Sequence, residues 1–202
     1  MAGKMEIKNL IIVTVVAVSV LAFGALALLS GGKGGVLGTP TLTVETPQKC
    51  SAGEEITLDV SISDMGEALY PAASMSIRFD PACLEFLAVE EGNVFILDGE
   101  NTSGRQLPQW SCNTAACNKS GLINIMYLDM TGGRYAFSRQ LLAEEDNVVL
   151  RLTFRVRGSV RTGDVLDLIV EDAVFAASEE KDSLAMTRNT LRVRNSRIVI
   201  GE

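Results

Sequence analysis

The side chains able to do chemistry in this sequence are carboxylates and cysteines, because it contains no histidine. That absence removes the commonest general base, the commonest transition-metal ligand and any Ser-His-Asp or Cys-His arrangement. The acidic residues Asp64, Glu67, Asp80, Asp129, Asp164, Asp167, Asp172, Glu179, Glu180 and Asp182 are scattered along the chain. None follows the DxDxDG spacing of a calcium loop, and no pair stands out for glycoside hydrolysis. They read as solvated turn residues, so neither catalysis nor a metal on this chain is expected. Cys112 and Cys117 are separated by four residues in SCNTAACNKSG, which reads as a loop. A disulfide between them is expected, with Cys50 and Cys83 as the remaining pair. With no CxxC spacing and no histidine, the four cysteines are a weak metal set. Trp110 is the single tryptophan, either an exposed anchor for a protein or sugar, or a core plug. Asn101-Thr102-Ser103 and Asn118-Lys119-Ser120 match the glycosylation sequon.

The elements that must position these residues are strands. EITLDVSIS, residues 55–63, places Ile56, Leu58, Val60 and Ile62 on one face and polar residues on the other. Residues 72–79 alternate in the same way. Ala73, Met75, Ile77 and Phe79 point inward; Ala72, Ser74, Ser76 and Arg78 point outward. LINIMYL, residues 122–128, puts Ile123, Ile125 and Tyr127 on one face, and its opposite face is also largely apolar. Further strands are expected at 41–46, 84–89, 147–156, 165–170, 173–176, 184–187 and 191–200. Thr131-Gly132-Gly133 breaks one segment, and residues 139–146 form one helical turn or two. Many short strands with turns between them and no long amphipathic helix predict an all-β sandwich. Met126 and Leu128, out of phase with the core, are either a contact patch or lie beneath residues 140–145.

Hydrophobic residues make up 47% of the 202 and the net charge is −7, a folded and acidic composition. Nucleic-acid binding, which needs basic surface, is not expected. Residues 10–29 form an uncharged apolar run preceded by Lys4 and Lys8. The length suits a membrane span and the lysines put the N-terminus in the cytoplasm. Ala25-Leu26-Ala27 leaves open a cleaved signal peptide instead. Both readings carry the rest of the chain across the membrane, where paired cysteines form disulfides. Three segments follow: a signal anchor or signal peptide over 1–29, a glycine-rich linker over 30–39, and a folded domain over 40–202.

From Ser51 onward the chain resembles a cohesin domain, the dockerin-binding module of cellulosome-type scaffolds. The resemblance rests on an ordered series: SAGEEITLDV, AASMSIRFDPACLEFLAVEEGNV, LINIMYLDMTGG, NVVLRLTFRV and LIVEDAVFAASEEKDSLAMTRNTLRV. It implies a jelly-roll sandwich of about nine strands that binds a dockerin through one sheet face. Carried onto this sequence, that face is Ala72, Ser74, Ser76 and Arg78 with Asn124, Met126, Leu128 and Asp129. Family members often carry Asn and Asp where this chain has Ala72 and Ser74. The resemblance implies no cofactor on this chain, calcium being expected on the dockerin.

The expected protein is therefore a non-catalytic binding module, held at the cell membrane by a single pass with its domain outside, or secreted if the signal is cleaved. The alternatives are a carbohydrate-binding module, for which aromatics at 5% are sparse, and a self-assembling surface component.

Overall fold

The computed structural model describes residues 38–47, 49–94, 96–98, 108–130, 135–139, 142, 147–178 and 185–201. The apolar N-terminal run and its tether, the sequon at Asn101, the Thr131-Gly132-Gly133 break, most of the expected 139–146 turn, Leu184, and Glu179, Glu180 and Asp182 lie outside the described residues.

Alternation of apolar and polar residues produces the strands. β1 (Thr41–Val44), β2 (Glu55–Ser63), β5 (Leu84–Glu91), β9 (Val148–Val156) and β11 (Arg192–Arg194) form a five-stranded sheet in the order β11-β1-β2-β9-β5. β4 (Ala72–Arg78), β7 (Leu122–Leu128), β10 (Val165–Ala176) and β12 (Ser196–Val199) form a four-stranded sheet in the order β12-β10-β4-β7. Among the described residues nine strands make the two principal sheets. Three short strands, β3 (Leu69–Tyr70), β6 (Leu97–Asp98) and β8 (Tyr135–Ser138), form a small third sheet. The pairings are antiparallel except β1 with β11, which run parallel.

The core lies between the two principal sheets. Ile56, Leu58, Val60 and Ile62 of β2 and Leu150, Leu152, Phe154 and Val156 of β9 meet Met75 and Ile77 of β4 and Ile123 and Ile125 of β7. Phe79, just after β4, contacts Phe154 edge-on with ring centroids 5.5 Å apart. Burying a side chain of this size contributes about 1.5–3 kcal/mol.

Three departures from the sequence expectation have local causes. Residues 165–176 are one strand, with a bulge between Val170 and Asp172, where two had been expected. A bulge breaks the period-2 pattern without ending the strand. Residues 191–200 are two strands in different sheets, divided at Asn195, whose side-chain oxygen accepts from the Val170 backbone N–H at 2.9 Å. The third is a helix, α1 (Thr114–Ser120), where a loop had been expected. Asn113 is its N-cap and accepts from the Ala116 N–H; Gly121 closes it in the left-handed conformation at φ 70°. The cap residues were the available sequence signal.

The cysteine expectation is corrected by the same helix. All four cysteines are free thiols in this structure. Cys112 and Cys117 stand at N′ and N4 of α1, where helices place a packed apolar pair. Cys117 is buried and Cys112 packs against the core, so both act as small apolar side chains. The other two lie in separate settings. Cys50 is buried and bridged to Ile200. Cys83 sits in the Asp80-Pro81 turn, its thiol 3.4 Å from the Asp80 carboxylate. Burial raises the pKa of the Cys50, Cys83 and Cys112 thiols.

Candidate binding face

The outward faces of the two sheets differ in kind. On the five-stranded sheet the exposed side chains form a polar lattice. Arg155 of β9 pairs with Glu55 of β2 and Glu85 of β5, Arg151 pairs with Asp59, and Thr57 bonds Thr153 at 3.1 Å. Such a surface is polar and solvated.

The four-stranded sheet is different. Its register lines outward side chains into rows across β10, β4 and β7. One row is Ala176–Ala72–Leu128 and the next is Val174–Ser74–Met126. The third is Asp172–Ser76–Asn124, where Ser76 donates to the Asn124 side-chain oxygen at 2.8 Å. Beyond it Arg78 pairs with Glu171, which raises the pKa of the guanidinium. Met126 and Leu128 are 55% and 54% exposed, and no described residue covers them; most of the 140–145 segment lies outside the described residues. With Ala72, Ser74, Val174 and Ala176 they line an open depression of about 160 Å³. Exposed apolar side chains grouped on a rigid sheet have the composition of a contact surface.

Seven of the eight residues singled out in the sequence point outward on this sheet. Asp129 does not join them. It is half-buried past the end of β7, its N–H donates to Pro71 O, and its carboxylate accepts from the Tyr135 N–H at 3.1 Å. It therefore fixes the start of β8. The sequence reading missed the β10 contribution: Ile169, Glu171, Asp172, Val174 and Ala176. Val174 and Ala176 alternate with buried Ala173 and Phe175, a visible signal, but the bulge at Glu171 hides how that alternation continues from residue 169.

Other candidates are structural. Trp110 plugs the core edge: its Nε1 donates to Val149 O at 2.9 Å and its ring lies 6.2 Å from Tyr127 and 6.0 Å from Phe137. Val149 is the extra residue of a bulge where β9 meets β2. Asn118 of the second sequon is an internal bridge. Its amide nitrogen donates to Phe86 O and Thr114 O, and its oxygen accepts from the Phe86 N–H at 2.8 Å. It thereby satisfies the edge of β5 and is not presented for glycosylation. Among the described residues no group of three or more Cys, Asp or Glu is placed to hold a metal ion. Among them also, no helix is long and apolar enough to cross a membrane.

The fold and this face define a β-sandwich with one patterned, open sheet surface. Residues 40–193 match the cohesin domain family, and the chain belongs to it. The structure is similar to the OlpA cohesin of Clostridium thermocellum, solved in a type I complex with a dockerin: TM-score 0.58, 18% identity, covering 81% of this chain and 99% of that one. It is similar to the OlpC cohesin of the same organism, also solved with a dockerin: TM-score 0.59, 18% identity, covering 80% and 93%. The third ScaC cohesin of Acetivibrio cellulolyticus, in complex with the ScaB dockerin, gives a TM-score of 0.58 at 14% identity over 81% and 99%. Comparison with curated proteins gives no match.

Proposed function

We propose that this chain is a non-catalytic module that binds a dockerin-bearing protein through the outward face of β10, β4 and β7. The observation that carries the reading is the contrast between the two sheets. One outer face is polar and charged, and the other exposes Met126 and Leu128 beside Ala72, Ser74, Val174 and Ala176. Family membership supplies the class of partner. Seven residues singled out from the sequence, Ala72, Ser74, Ser76, Arg78, Asn124, Met126 and Leu128, form the β4 and β7 part of the contact. Calcium belongs to the dockerin in this reading, and this chain contributes none of its ligands. The apolar run at residues 10–29, with Lys4 and Lys8 before it, supports display on the outer side of the cell membrane.

A sugar-binding reading has no comparable support. Among the described residues every aromatic side chain is buried or half-buried, so they offer no planar aromatic strip.

The test is capture by the immobilised full chain, held in detergent, from a lysate of its own organism. Calcium is present first and is then removed by chelator. A retained protein carrying paired calcium loops, released by chelator, is the expected result. Retention of only polysaccharide, or of the chain itself, would move the function to one of the alternatives.

A further inference from the structure

The outer face of the five-stranded sheet is not uniform across its width. Over β2, β9 and β5 its arginines are engaged in ion pairs, Arg151 with Asp59 and Arg155 with Glu55 and Glu85. The β11 margin is built differently. Residues 185–201 carry four arginines and no Asp or Glu, in a chain of net charge −7. Arg197 leans to Asp167 on the other sheet at 3.8 Å, and Arg188 lines a recess beside Glu171 and Asp172. The remaining two, Arg192 and Arg194, are exposed on β11, either side of half-buried Val193. Pairing of β11 with β1 and of β1 with β2 sets them in two outward rows, Arg192–Thr41–Ser63 and Arg194–Thr43–Ser61. Among the described residues neither arginine has an ion-pair partner. Nor do the hydroxyls of Thr43, Ser61 and Ser63 have a partner there, whereas Thr41 donates its own to Thr39 O at 2.9 Å. The acids that flank the rows turn elsewhere. Glu45 accepts from the Asp59 N–H at 3.4 Å, and the Asp64 carboxylate lies against Gly38.

Charge and composition together define what this margin can take. A guanidinium binds an oxyanion through a fork of parallel N–H donors, and neighbouring cations with no acid to neutralise them concentrate anions. The two rows present no apolar side chain, whereas a protein interface is built around an apolar centre with its charges at the rim. A hydrophilic polyanion therefore fits better than a protein. A carboxylate is planar and is satisfied by the guanidinium fork alone. A phosphate directs its oxygens out of one plane and takes hydroxyl donors beside the fork. We infer that the β11–β1–β2 margin binds a phosphodiester polymer, with Arg192 and Arg194 on its phosphates and Thr43, Ser61 and Ser63 donating beside them. Its source follows from the display proposed above: a polyol-phosphate polymer outside the cell rather than a nucleic acid within it. The margin lies on the sheet opposite the dockerin face, so both partners fit at once and the inference stands apart from the dockerin reading.

The test is retention of poly(glycerol phosphate) by the immobilised full chain in nonionic detergent, with polygalacturonate, duplex DNA and neutral dextran as comparators. The wild-type chain should hold the phosphate polymer, hold polygalacturonate and DNA more weakly, and not hold dextran. Added salt should release the bound polymer. Arg192→Gln combined with Arg194→Gln should weaken binding about tenfold or more and flatten its salt dependence. Arg197→Gln, which removes a charge from the other sheet, should leave binding unchanged. Arg192→Lys combined with Arg194→Lys keeps the charge and should bind more tightly than the glutamine pair, which separates a lost contact from a lost fold. Three results would each overturn the inference: no retention by the wild-type chain, equal weakening in Arg197→Gln and the glutamine pair, or polygalacturonate or DNA held as tightly as the phosphate polymer. None of them bears on dockerin capture.

Discussion

At the scale of single residues, the polar side chains that sequence motifs singled out are mostly structural. Asn118 fits a sequon, yet its amide ties α1 to both backbone groups of Phe86. Asn118→Ala leaves that strand edge without its partner and should cost about 1–3 kcal/mol. The readout is a Tm lower by several degrees; an unchanged Tm would mean that the bridge contributes nothing. Tyr127 offers a pH test. Its phenol is pushed up to about 12, first by burial and then by Asp129 and Tyr135. An unfolded tyrosine titrates near 10. The folded pKa is the higher one, so this contribution is complete below about pH 10 and is lost as pH rises towards about 12. Denaturation midpoints across that range should fall less steeply for Tyr127→Phe than for the wild-type chain. Parallel curves would contradict the assignment.

At the scale of elements, the sequence carried the alternating strands well and their interruptions poorly. β2, β4 and β7 were legible because apolar residues recur at every second position over whole strands. The outward set on β4 and β7 followed from that phase alone. The bulge at Glu171 was not legible, since two consecutive acidic residues look like a turn. Nor was α1, whose seven residues are too few for a helical period and whose evidence is only Asn113 and Gly121 at its ends. Asp129 came from the resemblance and not from phase, which puts it on the side of Ile123, Ile125 and Tyr127. The neighbouring side chains of one strand, β9, allow a direct comparison of its two faces. Phe154 is fully buried, and Phe154→Ala should cost about 3–5 kcal/mol. Arg155→Ala removes two solvent-exposed ion pairs and should leave the denaturation midpoint nearly unchanged. Equal losses in urea denaturation would mean that the ionic lattice is a main source of stability rather than a solvated outer face.

Across the molecule, two sheets that share a core differ in their outer faces. The five-stranded sheet turns a polar, charged face outward; the four-stranded sheet leaves apolar rows open. A rigid sheet holds such side chains in register before a partner arrives, so little ordering is required on binding. The thiols fit the same division, serving as core packing at the ends of the sandwich rather than as cross-links. Denatured protein should therefore titrate with four thiols per chain, the number of cysteines. A lower count would show that bridges form.

The measurement that bears most directly on the binding face is an affinity comparison for one captured dockerin module in calcium. Three chains are needed: wild type, Met126→Asp on the four-stranded face, and Thr153→Arg on the opposite face. Both substitutions are at outward positions, and matched Tm values would confirm intact folds. The face assigned here predicts binding lost in Met126→Asp and retained in Thr153→Arg. Unchanged binding in Met126→Asp, or loss in Thr153→Arg alone, would contradict it.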